Sequence, residues 1–233
     1  IFAEAIEFAD ITDSTAMLEC CGPQAAALVA QVLDLDLSQT RAGDLLAMSA
    51  ADAPWLARRD WDGCPGLRTI GTPDAIGQLR EKLVASGAQT IGEEAWEILR
   101  VERGEPRKGR ELTEDYNPWE AGLGRAIHMD KGCYIGQEVV ARLDTYKKVQ
   151  RYLMLVKLSR PAKSGDKLES DGRVIGLITS AAIYPIEQQY WALGFIDAQF
   201  AVSGKVVSLA GDSDMAKLYD PPYAIATESN PGN

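Results

Sequence analysis

Histidine is nearly missing from this chain: His128 is the only one among 233 residues. The four cysteines, Cys20, Cys21, Cys64 and Cys133, include no C-x-x-C pair. Together these shortages exclude a zinc or iron–sulfur ligand set, so no permanent metal is expected. His128 is read as structural. Cys20 and Cys21 are adjacent and make a poor disulfide pair. With Cys64 they read as small buried hydrophobes, which fits a reducing cytoplasm. No apolar run approaches the roughly 20 residues of a membrane span. The N-terminus carries Glu4, Glu7 and Asp10, the opposite of a basic secretory leader. Internal repeats and low-complexity tracts are absent. Positive charge is also scarce, with 24 Lys and Arg against 34 Asp and Glu, a net charge of -10. Such a field repels polyanions, which disfavours membrane surfaces and nucleic acid as direct partners.

What is present is enough for a packed core without staples: 46% of residues are hydrophobic. Charge is unevenly placed. From Glu97 to Arg151 there are 11 basic and 10 acidic residues, so the rest of the chain carries -11. An anionic ligand is therefore expected in this central stretch. Three helices are predicted. Pro23–Leu35 has an apolar stripe of Ala26, Val29, Ala30 and Leu33. Pro73–Ala85 opens on proline and is followed by Gly87. Glu93–Arg103 has acids at its start, bases at its end and Gly104 as a stop. Its predicted apolar face is Ala95, Ile98 and Leu99, with Glu102 at the edge. Strands are expected at Leu45–Ala50 and Leu67–Ile70. This alternation suggests a mixed sheet with helices packed on it. From Gly104 to Gln150 periodicity is lost, as in a binding loop. Beyond Val149, short β-runs separated by Gly and Asp turns suggest a small antiparallel barrel or sandwich. A domain boundary is placed near Gln150. The tail from Thr227 to Asn233 reads as disordered.

The segment Lys131-Gly132-Cys133-Tyr134-Ile135-Gly136-Gln137-Glu138 concentrates chemistry. An ammonium near a thiol favours the nucleophilic thiolate. Gly132 permits close backbone approach, Tyr134 offers a stacking face, and Gln137 and Glu138 offer donors and acceptors. Arg142 lies four residues after Glu138, an i, i+4 pair if the segment is helical. Against this stands a solvated turn with a buried cysteine, and the residues alone leave both readings open. Arg100 in LRVERG has the fork to clamp a carboxylate, or only completes the helix dipole. In NPWEAGLG, Pro118 and Gly122 bracket a turn that would fix Glu120, or form an ordinary loop.

LRVERG, NPWEAGLG and KGCYIGQEVVAR, in this order, resemble the folate-binding family of the glycine-cleavage T-protein (GcvT) and its relative YgfZ. The barrel phrase GLITS at Gly176–Ser180 and CGPQAAALV at Cys21–Val29 extend the likeness. KGCYIGQE is close to the YgfZ-type motif K-G-C-[FY]-x-G-Q-E, which favours that branch. The resemblance implies an α+β fold: a GcvT/YgfZ-like folate-binding domain over residues 1–149, followed by a C-terminal antiparallel β-barrel over 150–233. It implies that tetrahydrofolate or a one-carbon derivative is the cofactor. Arg100 would lie at the folate site, with Glu102, Glu120, Tyr134, Gln137, Glu138 and Arg142 beside it. Lys131 and Cys133 would carry the catalytic or thiol role. The implied function is support of iron–sulfur cluster assembly or repair, linked to tRNA modification, with iron–sulfur proteins or assembly factors as partners.

Two departures are visible. The T-protein aspartate lies in an N-terminal segment that cannot be assigned here, and GTPDAIG stands where the family has a G-E-D-G-type stretch. Family size implies a natural protein that begins about a hundred residues earlier. The alternatives are an aminomethyltransferase proper, passing a one-carbon unit to tetrahydrofolate, and a non-catalytic RNA- or protein-binding module using Arg103, Arg107, Lys108 and Arg110.

Overall fold

A computed structural model describes residues 6–46, 54–59, 66–129, 131–146, 148–184, 189–211 and 215–222. The expectations for Cys64, the Thr227–Asn233 tail and the end of the Leu45–Ala50 strand lie outside these residues. The fold is α+β, in two compact units, Ile1–Thr90 and Ile91–Asn233.

The first unit is a four-stranded sheet with two helices. Strands β1 (Ala16–Cys21), β2 (Leu45–Leu46), β3 (Trp55–Arg58) and β4 (Gly66–Gly71) lie in the order β1-β4-β3-β2. Every pairing is antiparallel, so the mixed sheet expected from alternation is not what forms. Strands β2, β3 and β4 pair in chain order, whereas β1 and β2 lie at opposite edges of the sheet with the helix Ala25–Leu33 between them in sequence. Register separates the two faces. The row Leu18–Thr69–Leu56 faces the helices, and Thr69 Oγ1 donates to Leu18 O at 3.1 Å. The adjacent row Met17–Ile70–Trp55 is exposed. Helix α1 (Ala25–Leu33) and helix α2 (Pro73–Ala85) close the core with Val29, Leu79 and Leu83. Helix α2 matches its sequence expectation because its signals are complete. Pro73 begins it, and Thr72 Oγ1 caps it by accepting from the Ala75 N–H.

The second unit is built on a closed antiparallel barrel. Its strands are β5 (Arg151–Leu158), β6 (Lys167–Ser170), β7 (Arg173–Tyr184), β8 (Gln189–Asp197), β9 (Val206–Leu209) and β10 (Met215–Tyr219). They close in the order β10-β5-β8-β7-β6-β9. Met154, Val156, Leu168, Ile175, Ile178 and Ile196 fill the interior. A second apolar layer lies outside the barrel wall, where Leu153, Leu155, Ala182, Leu193 and Phe195 meet Val101 of helix α3 (Glu93–Arg103) and Ala121. Thus α3 and the loop after it belong to the barrel's unit. The compact units divide at Thr90, and strand texture alone does not reveal what packs on the barrel's outer wall. The buried positions of α3 are Arg100 and Val101, with Ile98 beside them, whereas Ala95 and Glu102 are exposed. Gly104 ends the helix at φ +71°, and a Cβ there would lie 2.2 Å from Pro221 Cβ.

One carboxylate holds this layer to the barrel. Glu111 is fully buried and accepts four hydrogen bonds. Oε2 takes Arg100 Nη1 at 3.1 Å and the Arg107 N–H at 3.0 Å. Oε1 takes the hydroxyls of Thr179 and Ser180, both at 2.6 Å. Neighbouring strand residues normally point to opposite faces. Here a bulge between Ile178 and Ser180 breaks the register against β8, so both hydroxyls reach the same oxygen. Arg100 is 2% exposed, and all of its N–H donors are engaged. Besides Glu111 they serve Glu105 O at 2.9 Å, Ser180 Oγ at 2.7 Å and both oxygens of Glu97.

Removing one member of such a buried set leaves a charge without compensation. Glu111→Ala is expected to cost about 3–5 kcal/mol, measured by urea denaturation of the whole chain. Glu97 gives a pH signature. Burial raises its pKa, but hydrogen bonds and charge from Arg100 and Arg107 outweigh burial and hold it below the usual 4.5. A depressed folded-state pKa contributes stability that is complete above the unfolded value and lost as pH falls through the folded one. Stability is therefore expected to fall below about pH 4.5, and Glu97→Gln to make that fall shallower. An equally steep acid transition in the variant would remove Glu97 from the account.

Candidate functional site

The KGCYIGQE segment lies on the second unit, leading into helix α4 (Gln137–Thr145). Gly136 precedes the helix at φ 86°, a left-handed conformation that a side chain resists, so glycine is needed at this turn. Gln137 Nε2 reaches back to donate to Lys131 O at 3.4 Å, closing the segment into a loop. Lys131 Nζ stands 5.7 Å from the centre of the Tyr134 ring, a weak cation–π pair. Cys133 is a free, exposed thiol. It is not the buried cysteine of the bland alternative.

NPWEAGLG supports this loop from below. Asn117 and Glu120 bond reciprocally: the Glu120 N–H donates to Asn117 Oδ1 at 3.0 Å and the Asn117 N–H to Glu120 Oε2 at 3.2 Å. Glu120 is 5% exposed, and its other oxygen faces Arg151 Nε at 3.6 Å. Its backbone carbonyl accepts from the Leu153 N–H at 2.9 Å, pinning the turn to β5. Tyr116 stacks on Phe195 of β8 with ring centres 3.5 Å apart. Burial raises the Tyr116 phenol pKa, against the opposing charge of Arg151. From this platform Trp119 Nε1 donates to Val140 O of α4 at 2.9 Å. That bond is the direct link between the two motifs.

The residues singled out in the sequence divide into groups. Lys131, Cys133, Tyr134, Gln137 and Glu138 share the loop and the first turn of α4. Glu120 is a buried brace of the platform. Arg100 is a buried anchor whose donors all serve protein acceptors. Glu102 is exposed on α3, and Arg142 is exposed on α4. Among the described residues no ion pair joins Glu138 to Arg142, although the helix places them four apart. None of the hydrogen bonds of Arg100 reaches the KGCYIGQE loop. Sequence reasoning missed Glu111, Ser180, Thr179 and Trp119 as the residues that position the motifs. The GLITS phrase was the one available signal for two of them.

The loop is also apolar at its rim. No residue of α4 is buried. Met129, Ile135, Val139 and Tyr146, on the loop, its flank and α4, are exposed large hydrophobics, and Ile135 is 103% exposed. An arrangement of this kind can present a thiol to a partner or ligand that covers apolar surface.

Thiol chemistry is expected to separate the cysteines. Burial first, and then the neighbouring Cys21, raise the Cys20 pKa, leaving less thiolate at neutral pH. Iodoacetamide near neutral pH is expected to label Cys133 on the order of tenfold faster than Cys20, read by peptide mass spectrometry. Equal rates would contradict the exposure difference.

Residues 2–131 match the family model described as the GCVT N-terminal domain. The chain is 31% identical over 225 residues to a chloroplastic protein of Arabidopsis thaliana named "Putative transferase At1g60990", covering 91% of this chain and 49% of that one. It is 31% identical over 212 residues to an aminomethyltransferase of Thermus thermophilus, covering 88% and 60%. Among solved structures, the glycine cleavage system aminomethyltransferase T from Bartonella henselae superposes with a TM-score of 0.76 at 25% identity, covering 90% of this chain and 59% of that one. The chain thus spans about half to three-fifths of the length of these relatives. The fold of an antiparallel barrel with α3 and the two motif loops on its wall agrees with that likeness, and the family model matches more than half of the chain. The chain belongs to the GCVT N-terminal domain family, that of the glycine-cleavage T-protein.

Proposed function

We propose that this chain is part of a reduced-folate-binding protein of the YgfZ branch, acting in the cytoplasm in support of iron–sulfur cluster assembly or repair. The observation that carries the reading is KGCYIGQE itself, with an exposed Cys133 beside Lys131 on a loop braced by Trp119. The residues present fit a folate in chemical kind. Tyr134 offers a ring face, Gln137 and Glu138 offer groups for pterin nitrogens, and Arg142 offers a cation for an anionic tail. A reduced folate, when bound, supplies a one-carbon carrier. Arg100, Glu111 and Glu120 act in this reading by holding the wall on which the loop stands. Lys131 and Cys133 act on whatever is presented to them. The exposed apolar rim supports contact with an iron–sulfur protein or an assembly factor. A link to tRNA modification would then run through such clients and not through direct RNA binding.

A second reading is favoured by the names of the relatives: an aminomethyltransferase passing a one-carbon unit to tetrahydrofolate. Against it stand Cys133 in the motif and GTPDAIG in place of a G-E-D-G-type stretch. An assay for methylene-tetrahydrofolate with aminomethyl-lipoyl carrier protein separates the two readings, and turnover would favour the second.

Calorimetry of the whole chain with tetrahydrofolate is expected to show saturable binding. Tyr134→Ala is expected to weaken it by about 1 kcal/mol, roughly fivefold. Cys133→Ala is expected to bind folate unchanged yet fail to support iron–sulfur enzymes in cells. Absence of binding heat would sink the folate reading, and full complementation by the cysteine variant would sink the thiol role.

A further inference from the structure

Helix α4 continues the KGCYIGQE loop with little of its own to hold it in place. None of its nine residues is buried. Val140, Ala141 and Leu143 are half-buried, yet among the described residues they belong neither to the barrel interior nor to its outer apolar layer. Glu138, Arg142 and Asp144 form no ion pair among the described residues. One hydrogen bond among the described residues ties the helix to another part of the fold: Trp119 Nε1 donates to Val140 O at 2.9 Å. The contact from Gln137 Nε2 to Lys131 O stays inside the motif loop. An isolated helix shorter than ~12–15 residues is marginal in water. Whether α4 is formed therefore depends on what it docks against.

The donor side of that bond is fixed. Ala121 and Leu123, just after Trp119, belong to the barrel's outer apolar layer. The Leu153 N–H of β5 donates to Glu120 O and the Leu123 N–H to Pro118 O, both at 2.9 Å, so the backbone on either side of Trp119 is held. The ring lies beside Gly124: a Cβ there would stand 3.4 Å from Trp119 Cζ3 and 3.8 Å from Cε3. A methyl group fits at that distance, but a longer side chain would push the ring away. The acceptor side is main chain. A carbonyl has two lone pairs, so Val140 O can take the indole N–H and stay in the helix ladder. The tether therefore makes no demand on the side chains of α4.

We infer that Trp119 is a positioning residue for this site: its indole N–H docks α4, with the turn that carries Cys133 and Tyr134, onto the barrel's platform, and so sets the affinity of the site for its ligand. The role does not require Trp119 to touch the ligand. Tyr134 precedes the helix, and Gln137 and Arg142 lie on it, so a ligand that meets all three finds them in place only when α4 is docked. A ligand that must first order the helix gives up part of its binding free energy. A neutral hydrogen bond shifts such an equilibrium roughly three- to tenfold. The affinity half of the inference rests on the folate reading, whereas the docking half does not.

The test uses the whole chain and Trp119→Phe, which keeps a ring but removes the N–H. Hydrogen exchange read by mass spectrometry is expected to quicken roughly three- to tenfold at amides 141–146, with strands β5 and β8 unchanged. Gly124→Leu is expected to do the same by displacing the ring, and Gly124→Ala to leave exchange as it was. Calorimetry with tetrahydrofolate is expected to show Trp119→Phe binding roughly three- to tenfold more weakly. Linkage then requires that saturating tetrahydrofolate slow the variant's α4 exchange back toward that of the unaltered chain, a response that a merely structural role would not give. Unchanged α4 exchange in Trp119→Phe would overturn the docking. Faster exchange with unchanged affinity, or no recovery under saturating ligand, would overturn the positioning role. Absence of tetrahydrofolate binding by the unaltered chain would overturn the affinity half together with the folate reading, while the exchange result decides the docking half on its own.

Discussion

The buried carboxylate of Glu111 is the interaction on which the second unit depends. It lies in an irregular loop with no regular hydrogen-bond ladder of its own, yet it joins three separate pieces of chain. Through Arg100 it holds helix α3, through the Arg107 N–H it fixes the loop, and through Thr179 and Ser180 it fastens both to the barrel. A buried ion pair seldom stabilises more than apolar packing would. What it contributes here is placement. An apolar patch would allow α3 to slide along the barrel wall, whereas four directed bonds to two oxygens allow one position. The motif loops inherit that placement, since NPWEAGLG stands on the same wall and Trp119 carries it on to α4.

This hierarchy explains which parts of the molecule the sequence announced. Helices α2 and α3 were legible because their boundaries are local chemistry: Pro73 behind a threonine cap, acids at the head of α3, and Gly104 at its foot. The barrel was legible from turns. Strands β1 and β3 were not. AMLECC has no polar alternation, and WLAR is too short to show a period. Their strand character comes from pairing with β4, which is distant in sequence from β1 and the next strand after β3. The same holds for the site. KGCYIGQE was visible as a concentration of reactive and flexible residues. Glu111 was hidden in GEPRKGREL, a run of charges that reads as solvated. Its true surroundings come from hydroxyls 68 and 69 residues later in the chain. The change of texture near Gln150 marks where the barrel strands begin, whereas the outer apolar layer is created only by packing.

Arg100 shows what the fold itself does with the arginine of LRVERG. Its position in LRVERG marks it as a residue the family pattern contains, and its guanidinium suits an anionic ligand. In the folded chain the anion is Glu111, with Glu97 as a second. Helix α4 and its loop carry the exposed thiol together with exposed apolar side chains such as Ile135 and Val139. Rigid support and reactive surface are thus assigned to different segments, with Trp119 as the joint between them.

The bulge at Thr179 has one further consequence. Before it, Ile178 points into the barrel. After it, Ala181 turns inward and Ala182 outward, toward Val101 and Phe195. Strand β7 therefore changes phase at this bulge, where one extra residue decides which side chains beyond it face inward. Side chains on either half can be exchanged for others of similar size, but the count of residues between the halves cannot change. A lineage that gained or lost a single codon there would turn one half of the strand inside out, so length is the property of this segment that descent has least freedom to vary.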